Sequence, residues 1–248
     1  MAYVSCNGVV LKRTKVGDND AILTVFTDNL GVIKVSAKGI KSLKNKSFAG
    51  ASLFSYSYFT LRPAKDMYYL VSAELKMSFY NLSTNIERLA YATYIADITA
   101  YCFTENQAEP EALALLLNTF YLLANKSGDA RQIKCVYELK LLYFSGIGIE
   151  AKVCLGCGAE KGLLYFTNEG GVLCASCHKK FPDSFKISQD AQKAIFYITN
   201  AENKKAFSFK VSERVLEELL YITEGFFTKY IDKKFYSLHY LNTILGKE

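Results

Sequence analysis

Gly31-Val-Ile-Lys34-Val-Ser-Ala37, running on into Lys38-Gly-Ile-Lys41-Ser-Leu-Lys44-Asn-Lys46, is the passage on which the fold turns. A β-branched run suited to a strand ends, and a long loop of Lys, Gly, Ser and Asn begins where a tight hairpin turn could have stood. Upstream, residues 3–13 and 20–26 read as two more strands, set apart by Val16-Gly-Asp-Asn and Thr27-Asp-Asn-Leu-Gly31, both turn-type segments. Downstream, residues 53–61 and 67–79 are strand-like and are divided by Arg62-Pro63-Ala-Lys-Asp66. Five short strands with a long loop after the third predict a small Greek-key barrel of the oligonucleotide-binding (OB) type, although periodicity alone also allows an SH3-like barrel. Phe54, Tyr56 and Tyr58 fall at alternate positions of the fourth strand, on one face, where they either fill the core or offer rings to bases.

After residue 80 the period changes from two to 3.6. Thr84-x-x-Glu87 has the form of a capping box, and Leu89, Ala92, Ile95, Ala96 and Thr99 follow at helical spacing. Pro110 and Glu111 suit a helix start, with Leu113, Leu116, Leu117, Phe120 and Leu123 behind them. A third helix is expected over 130–145, stopped by Gly146. Residues 189–199 and 211–230 are again amphipathic, with a short helix at 238–245. The expected architecture is α+β and multidomain: an OB-fold barrel over residues 1–80, then an α-helical domain over 81–248 with a zinc-binding segment, 151–180, inserted in it.

That segment holds Cys154-Leu-Gly-Cys157 and, sixteen residues on, Cys174-Ala-Ser-Cys177. Each C-x₂-C forms a knuckle presenting two sulfurs on one side, and two knuckles complete a tetrahedral tetrathiolate site for one structural Zn²⁺. Residues 163–173 between them read as a hairpin with a Gly-Gly turn, the layout of a zinc ribbon. Two disulfides, a redox pair and an iron site share the spacing, whereas a catalytic zinc would need an open position that four thiolates do not leave. Cys6, Cys102 and Cys135 lie in strand or helix patterns and read as core. His178, next to Cys177, reads as a surface residue or a competing ligand, and His239 as a packing or surface residue.

Charge is distributed unevenly along the 248 residues. Residues 1–80 carry 11 Lys/Arg against 5 Asp/Glu, and residues 81–248 carry 19 of each, so the whole excess of +6 lies in the first third. That excess suggests a polyanionic partner or, equally, a solvated basic face kept for solubility, and Lys34, Lys38, Lys41, Lys44, Lys46 and Arg62 are the candidate residues for contact with such a partner. An apolar half excludes wholesale disorder. The longest stretch without a charge, residues 47–61, is fifteen residues and too short to span a bilayer. Met1-Ala-Tyr-Val-Ser-Cys-Asn7 lacks a basic region followed by an apolar core, so no signal peptide is expected, and the location expected is the cytoplasm. P-loop, dinucleotide-binding, Gly-x-Ser-x-Gly and His-Glu-x-x-His patterns are all absent from the sequence, and no catalytic residues are expected.

Gly8-Val-Val-Leu-Lys-Arg13, Gly17-Asp-Asn-Asp20, Ile22-Leu-Thr-Val-Phe-Thr27, Gly31 and Ala37-Lys-Gly39 resemble the opening barrel of the RecO family of bacterial recombination mediators. Tyr137-Glu-Leu-Lys-Leu-Leu142 leading to Gly146 and Cys154-Leu-Gly-Cys157-Gly158 resembles that family's passage from helix into zinc segment, and Ser237, Leu238 and Leu241 its final helix. The resemblance covers nearly the whole chain in order. It implies a non-enzymatic DNA-repair protein, nucleoid-associated in a bacterial cytoplasm, that binds single- and double-stranded DNA and anneals complementary strands. It also implies work with RecR and with the acidic C-terminal tail of single-stranded DNA-binding protein (SSB) in loading RecA. Some members lack the cysteines, which implies that the metal is structural. Either some of Phe226, Phe227, Tyr230, Phe235, Tyr236 and Tyr240, rimmed by Lys229, Lys233 and Lys234, form a groove for that tail, or these rings are all core. An RNA-binding zinc-ribbon protein is the alternative reading, and a thiol oxidoreductase the third.

Overall fold

The computed structural model describes residues 3–246, which divide into two compact units: residues 3–127 with 235–246, and Gly128–Lys234. In the first unit, strands β1 (Val4–Val16), β2 (Asp20–Thr27), β3 (Gly31–Ala37), β4 (Ser55–Pro63) and β5 (Tyr68–Ser78) close a barrel in the order β1-β2-β3-β5-β4. β1 is long enough to pair antiparallel with β2 along one part and β4 along another, and a register shift between Val10 and Lys12 bends it between them. Closure is completed by a short parallel contact of β3 and β5, Val35 against Tyr68 and Ser36 against Tyr69. The alternation seen in the sequence places Leu23, Val25, Ile33, Val35, Phe59 and Leu61 inside. This is the OB-type barrel within an α+β chain, with the long loop, residues 38–54, after the third strand.

Phe54 does not share the face of Tyr56 and Tyr58. It precedes β4 with φ 59°, is fully buried, and sets its ring edge against Phe120 at 5.1 Å. Ser55, Ser57, Phe59 and Leu61 point inward instead, and the hydroxyls of Ser55 and Ser57 are satisfied by the carbonyl of Gly50. Tyr56, Tyr58 and Thr60 are half-buried on the outer face.

Three helices complete this unit: α1 (Ile86–Cys102), α2 (Pro110–Ala124) and α6 (Tyr236–Ile244). The expected capping box is not formed. A 3₁₀ turn runs through Thr84, whose hydroxyl bonds the carbonyl of Asn81, and the cap is Asn85, accepting from the Arg88 N–H at 3.0 Å. Pro110 occupies the first turn of α2 as expected. The α1–α2 connection is tied to the barrel by Val32 N–H to Thr104 (3.2 Å), Asn106 N–H to Leu30 (2.9 Å) and stacking of Phe26 on Phe103. α6 packs on α1, with Tyr94 and Tyr101 edge-on to Phe235 and Leu241 fully buried.

The second unit contains α3 (Ala130–Phe144), α4 (Gln189–Asn200), α5 (Glu213–Tyr230) and a small sheet of order β7-β6-β8. Its strands are β6 (Leu163–Thr167), β7 (Gly171–Cys174) and β8 (Phe185–Lys186). α3 ends as the sequence suggested: Gly146 takes φ 81°, its N–H reaches Tyr143, and Ile147 N–H reaches Leu142, a Schellman stop. Phe226 and Phe227 are buried in this unit and Phe235 is buried in the first, so these three rings are core and not groove lining. No helix among the described residues is long and apolar enough to cross a membrane.

Candidate metal centre and nucleic-acid interface

Cys154, Cys157, Cys174 and Cys177 converge so that their four sulfurs lie within 4.8 Å of one another. The first knuckle is built by Cys157 N–H and Gly158 N–H turning back to the carbonyl of Cys154 at 3.3 and 2.8 Å. The β6–β7 hairpin then delivers Cys174, whose N–H points at Cys154 Sγ from 3.3 Å. Between the knuckle cysteines the backbone passes so close to Cys177 that a Cβ on Gly156 would lie 3.0 Å from its Cβ and Sγ, so only glycine fits without a shift.

Sγ of Cys157 and Sγ of Cys174 are 3.8 Å apart. A disulfide would require about 2.05 Å, whereas four sulfurs at about 2.3 Å from a tetrahedral ion sit about 3.8 Å from each other. The donor set therefore fits one metal ion, and four thiolates fill its coordination, which makes the ion structural. The electrostatics agree. Burial raises the Cys154 thiol, but N–H donors from Cys174, Gly156 and Cys157 outweigh it and bring it down to about 6. Cys177 is pushed up to about 12, first by its hydrogen bond to Cys157 and then by burial. Four adjacent thiols resist joint ionisation in this way, and a cation among them removes that resistance.

The hairpin that carries Cys174 is fastened at its tip. Thr167 Oγ1 donates to Asp183 at 2.7 Å, Lys229 of α5 pairs with Glu169, the Tyr230 hydroxyl donates to the Glu169 carbonyl, and Phe166 meets Phe226 edge-on. His178 stacks flat on Tyr165 at 3.9 Å and is not among the converging ligands. Cys6 and Cys135 are buried, as a core role requires, while Cys102 is half-buried. Burial pushes the Cys6 and Cys135 thiols up to about 12.

On the barrel, Lys38, Lys44 and Lys46 are exposed on the loop after β3, and Lys34 is exposed on the outer face of β3 itself. Lys41 stands apart from them. Its Nζ donates to the carbonyls of Gly17 (2.8 Å) and Asp18 (3.1 Å) in the β1–β2 turn, and its pKa is lowered by partial desolvation and by nearby Lys15 and Arg13. Arg62 lies at the end of β4 with its guanidinium 4.9 Å over the Tyr69 ring. Register puts Arg62, Tyr69 and Ser36 in one row across β4, β5 and β3, so Arg62 is two strand spacings, about 10 Å, from the strand that carries Lys34. Tyr56 and Tyr58 continue the outer row of β4, with Lys76 Nζ 5.9 and 5.7 Å from their ring centroids. Lys76 was not singled out in the sequence; its signal was cross-strand proximity in β5 to two alternate tyrosines in β4, which needs the register.

An OB-type barrel is followed here by helices and a tetracysteine hairpin, and both parts of the chain match known proteins. Residues 1–79 match the family described as recombination protein O N terminal, and residues 83–239 match recombination protein O C terminal. The chain belongs to the RecO family. It is 35% identical over 246 residues to the DNA repair protein RecO of Acetivibrio thermocellus, covering 98% of each chain. It is 29% identical to that of Alkaliphilus metalliredigens, over 93% of this chain and 94% of the relative. With the RecO of Clostridium acetobutylicum the identity is 26% over 98% of this chain and 99% of that one. As a RecO-family protein, the chain is assigned to DNA repair and recombination.

Proposed function

We propose that this RecO-family protein is a non-enzymatic recombination mediator that binds single- and double-stranded DNA through its barrel and anneals complementary strands. The observation that carries the reading is the exposure of Lys34, Lys38, Lys44 and Lys46 on one strand and loop of the barrel, in the third of the chain that holds all the excess positive charge. Long lysine side chains reaching out from a rigid barrel suit phosphates, which any sequence supplies, and the outer row of Tyr56, Tyr58 and Arg62 suits bases or backbone beside them. Lys41 acts in this reading by holding the loop to the β1–β2 turn. Residues 1–80 serve as the DNA-binding domain, and 81–248 as a helical domain with the ribbon 151–180 inserted. Zn²⁺ is the ion that best matches four thiolates in a reducing cytoplasm, held by Cys154, Cys157, Cys174 and Cys177. Family membership supports RecR and the SSB tail as partners and RecA loading as the outcome.

Fluorescence anisotropy with single-stranded DNA, duplex DNA and structured RNA over a range of salt tests this. The expected result is binding to both DNA forms that weakens linearly in log salt. A preference for structured RNA would overturn it in favour of an RNA-binding protein.

A further inference from the structure

Leu43 stands at the tip of the loop after β3, between Ser42 and Lys44, and is 83% exposed. No other large aliphatic side chain among the described residues is as exposed. Single exposed leucines are ordinary on protein surfaces, so exposure alone carries nothing. What distinguishes this one is the loop that holds it out. Gly39 N–H donates to Asp20 Oδ1 at 2.7 Å, Lys41 N–H to Asn19 at 3.1 Å, and Arg13 to the carbonyl of Ile40, whose side chain is fully buried in the barrel. On the far side of the tip, Asn45 donates from Nδ2 to Gly39, accepts from Ser47 N–H, and returns its own N–H to Ser42. The loop is thus closed on itself and anchored at its base, and Leu43 cannot readily fold back into the apolar interior.

The charged residues of the loop itself are all cationic, with Lys38, Lys44 and Lys46 exposed on it, while Asp18 and Asp20 lie below Lys41 at the β1–β2 turn. Ser42 and Lys44 flank Leu43 and both are exposed, so the leucine is the one apolar side chain in an exposed polar run of the loop, Ser42–Lys44. An apolar side chain held out on a loop of phosphate-seeking cations has a natural occupant for its surroundings. In nucleic acid the backbone supplies anions at the rim, and the base stack supplies an apolar slot between them that leucine can enter. A lipid headgroup layer offers the same signs of charge, but one leucine buries too little to hold a protein at a bilayer.

We propose that Leu43 is a wedge that enters between neighbouring bases while the loop lysines hold the flanking phosphates. The proposal rests on the DNA-binding reading above and adds to it a residue that perturbs the stack. In this role the barrel does more than attract DNA: it opens adjacent bases, which favours single strands over a closed duplex and frees their edges for a complementary strand.

The test uses the full chain and an oligonucleotide carrying 2-aminopurine, whose fluorescence rises when it is unstacked. Wild-type protein should raise the signal; Leu43→Ala should lose most of the rise and about three- to tenfold in affinity, by the apolar burial forfeited. Leu43→Phe should restore both. Thermal unfolding of all three should coincide, because the side chain is exposed. The salt dependence should be the same in Leu43→Ala as in wild type, since the lysines remain. An equal fluorescence rise in wild type and Leu43→Ala, or none in either, with the salt slope intact, overturns the wedge and leaves the DNA reading standing. Loss of salt-dependent DNA binding by the wild type itself would instead overturn the underlying reading. Vesicles of anionic phospholipid give the last arm: binding to them that Leu43→Ala abolishes, with oligonucleotide binding unchanged, would assign the residue to a membrane surface and overturn the proposal.

Discussion

Lys41 donates from Nζ to the carbonyl oxygen of Gly17 at 2.8 Å, joining the loop after the third strand to the turn between the first two. A lysine used this way differs from its neighbours in kind. Lys38→Ala, Lys44→Ala and Lys46→Ala should each lower the salt slope for single-stranded DNA, by roughly 0.7 for every phosphate no longer neutralised. Lys41→Ala should weaken binding by loosening the loop while leaving the slope nearly unchanged. Anisotropy titrations at four salt concentrations separate the two effects, and an equal fall in slope for Lys41→Ala and Lys44→Ala would contradict the distinction. Sequence preference should not move in any of these variants, because phosphate contacts carry no base information.

One zinc per chain is expected on elemental analysis of purified protein. Cys174→Ser should lower that content sharply and destabilise the hairpin, since metal binding in such segments is folding free energy. The salt slope for DNA should survive the change, because the lysines of the barrel lie in the other compact unit. Protein that carries no metal but shows two disulfides by mass spectrometry would refute the site.

Glu138 is only 1% exposed, and its carboxylate meets Lys134 Nζ at 2.9 Å one turn back along α3. Removing Lys134 takes one partner from a carboxylate in a place water barely reaches. Lys134→Ala should therefore cost about 3 kcal/mol or more in urea unfolding. The double change Lys134→Met with Glu138→Leu should recover most of the loss, since an apolar pair of similar volume needs no counter-charge. A double variant as unstable as the single one would show that Glu138 contributes through other contacts.

Acid should weaken the second unit through Asp129. Its carboxylate receives the Arg131 guanidinium and the Arg131 N–H, and these bonds hold its pKa below the ordinary range; Arg131 also lowers Glu213. A carboxylate with a depressed folded pKa contributes stability above its unfolded pKa, about 4, and loses it as pH falls through the folded one. Both acids are more than one-third exposed, so solvent screening keeps the effect modest. Asp129→Asn, which retains a capping oxygen without the charge, should lower the melting temperature at pH 7 and flatten its decline below about pH 4. Parallel melting curves for the two proteins across that range would count against this.

Much of this fold was legible because the signals were local. The barrel strands announced themselves by β-branched alternation, Pro110 and Gly146 marked helix ends by backbone chemistry, and the cysteine spacing marked a converging cluster. What escaped depended on partners far along the chain. The inward parity of β4 is fixed by Phe59 and Leu61, with Ser55 and Ser57 tolerated inside because Gly50 accepts from both hydroxyls, and no pattern within residues 53–61 reveals that acceptor. Asn85 displaced Thr84 as the cap because a 3₁₀ turn claimed Thr84 first. Phe226, Phe227 and Phe235 could be read as groove lining only while their helices lacked neighbours. For the lysines, sequence could count charges but not show that one of them is spent on a turn.

The placement of α6 bears on how the protein is made. Phe235 and Leu241 seat against α1, yet Gly128–Lys234 must all leave the ribosome before they can do so. During synthesis the barrel and its first two helices wait with one flank bare, while the second unit has every residue it needs once Lys234 has emerged. The order of maturation is then the reverse of the order of translation for the final step: the unit begun first is finished last. A nascent chain stalled short of Phe235 would lack the cover that Phe235 gives Tyr94 and Tyr101 on α1.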